Sequence, residues 1–259
     1  MGEQKYGDDC SGGLPHAAPL IATQNLVKRF RGRRAVSGVS FAIPRGTVTG
    51  LLGANGAGKS TTMRLLAGRL APDEGQAVIA GHDTIAAPMA ARAALGYLPE
   101  APSGFPHLTV REFLTFAAEC RGFAGARRQR SIGRAAEVLD LGEALNRTLG
   151  TLSKGWRQRA WLAQAILHDP PVLLLDEPAD GLDPRQRAQF RQYIRTIAEN
   201  RAVLMSTHIL EEAEAMCDRL IVMVKGRIAA DAPLGTFLDA QGRLGSAFAR
   251  ITTEAGAVA

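Results

Sequence analysis

The chain has 259 residues and a mass of 27.5 kDa; 46% of its residues are hydrophobic, and its formal net charge is +6. This length and apolar content predict one large α/β domain or two small ones, and they argue against a largely disordered chain. No apolar run approaches the roughly 20 residues of a membrane-spanning helix. We therefore expect a protein that is soluble or that reaches a membrane only through a partner.

The positive charge permits an anionic partner such as a nucleotide, a nucleic acid or an acidic membrane surface, or it reflects only an arginine-rich composition. The three cysteines (Cys10, Cys120 and Cys217) are far apart and match no metal-binding spacing, which is typical of a reducing compartment. Residues 1–19 are polar, contain Gly and Pro, and lack the pattern of a secretory signal. We interpret them as a flexible tail.

Strands are predicted where apolar residues alternate or run uninterrupted, and helices where they recur at spacings of three and four. The predicted strands cover 20–30, 35–43, 47–53, 76–81, 171–176, 202–207 and a hairpin over 219–232 with its turn at Lys225–Gly226. The predicted helices cover 60–70, 135–141, 156–167, 185–200 and 208–218, with another beginning at a capping box of Thr109 and Glu112. The prediction is an α/β domain over 20–233 with a helical block at about 101–168. A C-terminal extension over 234–259 is predicted to hold one short helix and a frayed end.

Residues 53–60 have the form G-x-x-x-x-G-K-S and lie between a predicted strand and a predicted helix. Glycines in such a loop let backbone N–H groups surround phosphate oxygens, and the following helix adds the positive end of its dipole. We expect Lys59 to neutralise the β- and γ-phosphates, Ser60 to ligate Mg²⁺, and Thr61 to donate near the α-phosphate. The candidate nucleotide-binding residues are Gly53, Ala54, Asn55, Gly56, Ala57, Gly58, Lys59, Ser60 and Thr61.

Five further motifs follow the phosphate loop in order. They are GYLPE at 96–100, LSKGW at 152–156, LLLDEP at 173–178, ADGLD at 179–183 and STH at 206–208. Together they resemble the Q-loop, signature, Walker B, D-loop and H-loop of ATP-binding-cassette (ABC) ATPases. The resemblance extends over roughly residues 20–230. It implies an α/β P-loop NTPase fold: an ABC ATPase core with an N-terminal antiparallel β subdomain and an inserted helical subdomain.

The resemblance also implies roles for individual residues. Asp176 ends a predicted buried strand and is placed to hold Mg²⁺, while Glu177 is placed to polarise the attacking water as general base. By resemblance, His208 contacts the γ-phosphate, Phe30 stacks under adenine and Asp183 belongs to the D-loop. The implied catalytic set is Glu177, His208 and Lys59.

The LSKGW motif departs from the usual LSGGQ form. The resemblance implies that Ser153 and Gly155 reach the γ-phosphate held by the other subunit of a head-to-tail dimer that encloses two ATP molecules. Lys154 replaces the first Gly of the usual pair and Trp156 replaces Gln. We interpret the motif as functional, with altered dimer contacts left open.

Glu100 is a second departure, because most relatives carry Gln at this position of the Q-loop. A Glu side chain can ligate Mg²⁺, and it would add a negative charge beside Glu177. The sequence leaves open whether this raises either carboxyl pKa or tightens the dependence on the metal.

The motifs resemble those of single-cassette ATPases in bacterial exporters of the drug, polysaccharide and gliding type. The implied protein binds ATP and Mg²⁺, dimerises, and drives a separately encoded permease that holds it at the cytoplasmic face of the cell membrane. We expect docking in a groove beside Glu100, where Phe105, Leu108, Phe113 and Phe116 line the groove or belong to the core. No nucleic acid is expected as a partner. The alternative is a soluble ABC ATPase acting on nucleic acid or the ribosome, which the positive charge would suit. A small-molecule kinase would leave the signature, D-loop and H-loop unexplained.

Overall fold

The computed structural model describes residues 18–257, so most of the predicted tail lies outside the described residues. Four strands form an antiparallel sheet in the order β2-β1-β4-β5. Their bounds are β1 Ile21–Phe30, β2 Arg33–Ile43, β4 Glu74–Ile79 and β5 His82–Asp83. This sheet contains the first two predicted strands and confirms that they pair antiparallel.

Six strands form a second sheet in the order β10-β9-β3-β8-β7-β6, in which all pairs are parallel except β9 with β10. Their bounds are β3 Thr47–Leu52, β6 Leu95–Leu98, β7 Val172–Asp176, β8 Ala202–Thr207, β9 Arg219–Val224 and β10 Arg227–Pro233. Strand β7 places Leu173 and Leu175 in one hydrophobic core and Val172 and Leu174 in another. Burial on both faces explains its continuous apolar run.

In the described part of the chain, eight helices and three short 3₁₀ turns pack around the sheets. The helices are α1 Lys59–Leu66, α2 Pro88–Ala93, α3 Val110–Glu119, α4 Gly125–Val138, α5 Lys154–Ile166, α6 Pro184–Ala198, α7 Leu210–Met216 and α8 Gly245–Ala257. The 3₁₀ turns are Gly142–Ala144, Leu149–Thr151 and Leu234–Thr236. The capping box of Thr109 and Glu112 is present at the start of α3. Within residues 18–257, no helix has the length and apolar character needed to cross a bilayer.

Helices α1 and α4 differ in extent from their predictions. Helix α1 ends at Leu66 rather than near residue 70, because Gly68 takes a left-handed backbone with φ of 60° that stops the helix. Helix α4 begins at Gly125 rather than at Ala135, since the basic stretch is itself helical. Its arginine side chains reach solvent while Ile132 supplies part of the buried face. The many positive charges of this stretch were therefore not evidence for a loop.

The C-terminal helix is longer than the short helix that the sequence predicted, since α8 spans 13 residues. The segment that leads to it is packed, because Phe237 and Leu244 are buried in the core. The ammonium of Lys225, in the β9–β10 turn, donates to the carbonyl of Gly256 at 3.0 Å. The division of the chain at residue 233 stays a prediction.

The parallel strands bring several motifs to one edge of the second sheet. Strands β7 and β8 pair in register, so that Asp176 lies beside Ser206. Strand β3 pairs with β8 on its other side, and its last residue, Leu52, is opposite Thr207. The phosphate loop, the Asp-Glu pair and the STH motif therefore meet at the carboxyl ends of adjacent strands, where open α/β sheets bind ligands.

Candidate nucleotide-binding and hydrolysis site

The phosphate loop connects β3 to α1 and rests on the β9–β10 turn. A Cβ atom at Gly53 would lie 2.5 Å from the carbonyl oxygen of Met223, so only glycine permits this approach. The backbone N–H of Gly226 donates to the carbonyl of Ala57 at 2.9 Å. The tip of the loop at residues 54–56 is exposed. Because the first N–H groups of α1 have no partner within the helix, the loop presents donors to an anion.

Lys59 is buried at the base of this loop, with 4% of its side chain exposed. Its ammonium donates to the carbonyl of Gly53 at 2.8 Å and lies 3.5 Å from Oε1 of Glu177. Thr61, the last residue of the predicted set, is half-buried in the first turn of α1. The ammonium of Lys59 therefore lies between backbone carbonyls of the loop and the Glu177 carboxylate.

Asp176 is buried at the end of β7 and accepts two hydroxyl hydrogen bonds on the same oxygen. Oγ of Ser206 donates to Oδ1 at 2.5 Å, and Oγ of Ser60 donates to it at 3.3 Å. Burial raises the pKa of Asp176 above its usual range; the two hydroxyls oppose this, and the charge of Glu177 adds to it. Binding a cation at this carboxylate would favour its charged form.

Glu177 follows directly, with a backbone φ of 46° that is rare for a side chain of this size. The Ser206 hydroxyl accepts a hydrogen bond from the Glu177 N–H at 3.0 Å. Nδ1 of His208, which follows β8, lies 2.9 Å from Oε2 of Glu177. The carboxylate is therefore held between an imidazole and the ammonium of Lys59, with 11% of its side chain exposed.

Ser206 joins Asp176 to the backbone of Glu177, and it was not among the residues predicted for the site. Its position in the STH motif, one strand away from the Asp-Glu pair, is the signal that could have found it. Gln158 was also missed. It is buried in α5, and its Nε2 donates to the carbonyl of Pro178 at 2.8 Å, which ties the signature helix to the residue after Glu177.

The oxygen ligands at this edge fit Mg²⁺ bound together with a nucleotide. Within residues 18–257, no group of three or more His, Cys, Asp and Glu side chains could hold a metal. Ser60 and Asp176 provide two hard oxygen ligands 3.3 Å apart. Mg²⁺ is commonly held by one or two carboxylates together with phosphate oxygens and waters, and this pair leaves room for that set. Glu100 is exposed beyond β6, and among the described residues its side chain joins no hydrogen bond or ion pair.

The signature residues lie at the start of α5. Ser153 is its exposed N-cap residue, and its hydroxyl makes no capping hydrogen bond. Lys154 and Gly155 are already helical, two residues earlier than predicted, so Lys154 needs no left-handed backbone. The Lys154 ammonium pairs with Asp180 at 3.2 Å, and the Trp156 ring packs on the core under the guanidinium of Arg159 at 3.7 Å.

The remaining candidates, Asp183 and Phe30, lie at element ends. The Asp183 side chain accepts from the N–H of Gln186 at 2.8 Å and caps α6, so it has a structural role in the chain itself. Phe30 ends β1 with 46% of the residue exposed, and the ammonium of Lys28 lies over its ring, 5.9 Å from the ring centre. The hairpin that carries it touches the phosphate loop through Ala35, whose carbonyl oxygen would lie 2.5 Å from a Cβ atom at Gly58.

A groove of about 1130 Å³ lies between the α2–β6 side of the domain and the helices α3, α4 and α5. Phe105 and Phe116 line it and are 41% and 45% exposed, whereas Phe113 is buried and borders it from the core. Leu108 packs against the core and is not part of the lining. Of the four residues predicted for this surface, Phe105 and Phe116 therefore line the groove and are exposed. Phe113 and Leu108 pack in or against the core.

His168 lines the same groove, and its Nε2 donates to the carbonyl of Leu95 at 3.1 Å. Burial, aided by the charge of Arg121, lowers the pKa of His168 from 6.5 to about 4. Because the pKa of His168 is lower in the folded state than in the unfolded state, the neutral imidazole favours the fold above pH 6.5. This contribution to the free energy of unfolding is lost as the pH falls towards 4. At about pH 5 the free energy of unfolding is lowered by at most about 2 kcal/mol through this group, or by roughly 1 kcal/mol after allowance for the partial exposure of His168.

We expect His168→Gln, which keeps a donor for Leu95 but does not titrate, to lose less stability than the wild type on acidification. Urea unfolding at about pH 7.5 and about pH 5 measures this. The difference between the two proteins is the informative quantity, because other groups titrate in both. Equal losses in the two proteins would contradict a neutral, half-buried His168.

Comparison with known proteins places this geometry in a family. A family model described as "ABC transporter" matches residues 36–180. The uncharacterized ABC transporter ATP-binding protein YxlF of Bacillus subtilis is 39% identical over 209 residues, which cover 81% of this chain and 69% of that protein. The daunorubicin/doxorubicin resistance ATP-binding protein DrrA of Streptomyces peucetius is 40% identical over 235 residues, which cover 89% of this chain and 69% of that protein. A solved ATP-binding subunit of an ABC transporter superposes with a TM-score of 0.79 at 30% identity, covering 91% of this chain and 98% of that one.

The phosphate loop, the Asp-Glu pair and the two-sheet fold with inserted helices define a P-loop ATPase of the cassette type. The chain belongs to the ABC transporter family as an ATP-binding subunit, and it binds and hydrolyses ATP. This confirms the fold class and the family that the motifs indicated.

Proposed function

We propose that the chain is the motor subunit of an exporter, which closes as a head-to-tail dimer around two ATP molecules with Mg²⁺ and opens on hydrolysis. The observation that carries the proposal is the position of Glu177, held between Lys59 and His208 beside the Ser60–Asp176 pair. This cluster places a carboxylate, two nitrogen donors and a metal-binding pair at the phosphate loop. Such an arrangement suits phosphoryl transfer to water.

The proposed roles follow from the contacts. Glu177 accepts the proton of the attacking water, and its side chain is oriented by His208 and Lys59. Lys59 and the loop N–H groups bind the β- and γ-phosphates, and Ser60 and Asp176 hold Mg²⁺. Mg²⁺ supplies charge neutralisation of the phosphate oxygens when it is bound.

The signature motif supports the dimer. The Ser153 hydroxyl and the N-terminus of α5 are exposed, and no side-chain hydrogen bond among the described residues joins them to the phosphate loop of the same chain. Their donors are available to a phosphate held by a second copy, at a helix N-terminus that favours anions. We propose that Gly155 brings the backbone close to that phosphate, and that Asp183 and the D-loop line the same interface.

The proposed partner in the membrane is a separate permease that docks in the groove lined by Phe105 and Phe116; Glu100, which the sequence placed beside it, is not among the lining residues. The relative DrrA is named a drug-resistance ATP-binding protein, and this supports the exporter direction. The exposed aromatic residues Phe105 and Phe116 supply an apolar docking surface. The chain would then lie at the cytoplasmic face of the membrane, where ATP is available.

The test is the oligomeric state of the full chain with Mg²⁺ and ATP, measured by size-exclusion chromatography with light scattering. We expect Glu177→Gln to form a stable dimer only with ATP, because slow hydrolysis preserves the ATP sandwich. Adding Ser153→Ala to that variant should return it to monomer. Ser246→Ala, an exposed serine of α8, is the matched control and should leave the dimer intact.

Two results would contradict the proposal. One is an ATP-dependent dimer that is insensitive to Ser153→Ala, which would place the interface elsewhere. The other is a Glu177→Gln variant that binds ATP yet stays monomeric both alone and on membranes that contain the permease. In that case Lys154 and Trp156 have disabled the signature motif.

A further inference from the structure

One buried carboxylate beside the hydrolysis site has no role in the mechanism proposed above. Glu212 lies in the first turn of α7 and is 6% exposed. Its Oε2 accepts a hydrogen bond from the Thr207 hydroxyl at 2.8 Å, whereas its Oε1 is buried and makes no hydrogen bond with a described residue. A buried carboxylate that is only half satisfied lowers the stability of the fold, so packing alone does not explain a Glu at this position.

The Thr207 hydroxyl connects this carboxylate to the turn that carries His208. Thr207 is the last residue of β8 and is buried, and its hydroxyl also accepts a hydrogen bond from the N–H of Ile209 at 3.1 Å. A hydroxyl has one proton to donate. Because Glu212 takes that proton, a lone pair of the hydroxyl is left for the Ile209 N–H. The residues on both sides of His208 are therefore fixed by one hydroxyl, whose orientation Glu212 sets.

His208 depends on this turn because its own side chain has few restraints. The side chain is 36% exposed, and among the described residues the imidazole has one polar contact, 2.9 Å from its Nδ1 to Oε2 of Glu177. A small shift of the backbone turn would therefore change this distance directly. In the function proposed above, the contact orients the base that accepts the proton of the attacking water.

Arg187 of α6 faces the other oxygen of Glu212. Its Nε lies 3.8 Å from Oε1, and both atoms are buried without a hydrogen bond to a described residue. At this distance the charges attract each other, but the atoms are too far apart for a hydrogen bond. Burial raises the pKa of Glu212, and the hydrogen bond from Thr207 and the charge of Arg187 oppose this. The guanidinium therefore favours the charged carboxylate, which is the stronger acceptor for the Thr207 hydroxyl.

Arg187 also connects to the D-loop. Its backbone N–H donates to the carbonyl of Asp183 at 2.9 Å, and Asp183 is both the last residue of the D-loop and the N-cap of α6. A chain of contacts thus runs from the D-loop through Arg187 and Glu212 to the turn of His208. A buried ion pair with imperfect geometry adds little to stability. Its position between two motifs of the hydrolysis site indicates a role in the reaction instead.

We propose that Glu212 is a positioning residue for ATP hydrolysis. It holds the turn of His208 through Thr207, and Arg187 keeps its carboxylate charged and in place. This role rests on the function proposed above, in which His208 orients Glu177. The contacts that carry it lie within one chain, so it is tested apart from the dimer.

Two substitutions of Thr207 test the hydroxyl. Thr207→Val keeps the size and branching of the side chain but cannot donate to Glu212, whereas Thr207→Ser keeps a hydroxyl. We expect Thr207→Val to lower the kcat of ATP hydrolysis roughly tenfold to 100-fold while KM changes less than about threefold, because a misplaced group slows the reaction without removing the phosphate contacts. Thr207→Ser should stay within about threefold of the wild-type kcat. Steady-state phosphate release at varied ATP concentration measures both constants.

A double-mutant cycle tests whether the effect passes through His208. In a His208→Ala background, Thr207→Val and Glu212→Gln should each lower kcat by less than about twofold further, since the group that they position is absent. A purely structural role for Glu212 would give the same fractional loss with and without His208. Single-turnover measurements keep slow variants quantifiable. Glu211→Gln, exposed and one residue away on α7, is the matched control and should have no effect in either background.

The charged pair is tested by neutralising both partners. The double variant Arg187→Gln with Glu212→Gln leaves no unpaired buried charge, so it should unfold in urea close to the wild-type midpoint. It should nevertheless keep the low kcat of Glu212→Gln, which separates the role in the reaction from any role in stability. Arg195→Gln, exposed and further along α6, is the control and should hydrolyse ATP at the wild-type rate.

Three results would overturn the proposal. They are a wild-type kcat in Thr207→Val, equal fractional losses with and without His208, and recovery of the wild-type kcat in the neutral double variant. The dimer test with Glu177→Gln is read separately. Absence of an ATP-dependent dimer would overturn the proposed function, whereas an intact dimer together with a wild-type kcat in Thr207→Val would overturn only the role of Glu212.

Discussion

Replacing Glu177 by Gln is expected to lower the kcat of ATP hydrolysis by ~10²–10⁴-fold, with ATP affinity changed little. The amide retains the size of the carboxylate, but it cannot accept the proton of the attacking water. The phosphate loop and the Ser60–Asp176 pair are left unchanged, so binding should persist. Steady-state phosphate release and titration with a fluorescent ATP analogue separate the two quantities.

Glu211→Gln provides the matched control, since Glu211 is exposed in the first turn of α7 and its side chain forms no hydrogen bond or ion pair with a described residue. Its kcat should equal that of the wild type. Ser206→Ala should give an intermediate loss, because it removes the hydroxyl that joins Asp176 to the Glu177 backbone. If Glu177→Gln hydrolyses ATP at the wild-type rate, another group is the base and the assigned mechanism is wrong.

Most strands were predictable because their signals are local, whereas the short strands β5 and β6 were not predicted. The apolar run before Asp176 indicates a strand buried on both faces, and the two hydrophobic cores on either side of β7 explain it. The turn at Lys225–Gly226 was predicted from its dipeptide, and both residues have positive φ. The start of α4 was missed because its first turns contain mostly arginine and glutamine, and only tertiary packing of residues such as Ile132 selects the helix.

The catalytic cluster was predictable only in part. The spacing of the motifs indicated which residues belong together, but not that Glu177 has a left-handed backbone or that Ser206 links it to Asp176. These features depend on the register between β7 and β8, which no short sequence window contains. The groove that Phe105 and Phe116 line is similar, because Arg69, in the turn after α1, and Arg127, in α4, also line it although they are far apart in the chain.

Gly58→Ala is expected to abolish measurable ATP binding at ordinary nucleotide concentrations, with an affinity loss of about 100-fold or more. Gly58 is the N-cap of α1 and has a φ of 106°, a conformation that alanine strongly disfavours. The added Cβ atom would also lie 2.5 Å from the carbonyl oxygen of Ala35, a backbone atom of β2 that no side-chain rotation can move away. The loop or the hairpin must therefore shift, and the N–H groups that surround the phosphates lose their geometry.

The same strain should lower the free energy of unfolding by about 1–3 kcal/mol, so binding and stability are measured together by nucleotide titration and urea unfolding. Gly133→Ala is the matched control: Gly133 lies within α4, has no positive φ, and has open space where the Cβ atom would go. It should retain ATP affinity and stabilise the fold by about 0.5–1 kcal/mol, as alanine does at exposed helical positions. Retention of wild-type affinity by folded Gly58→Ala would show that the phosphates bind without this backbone, and the loop could not be the anion site.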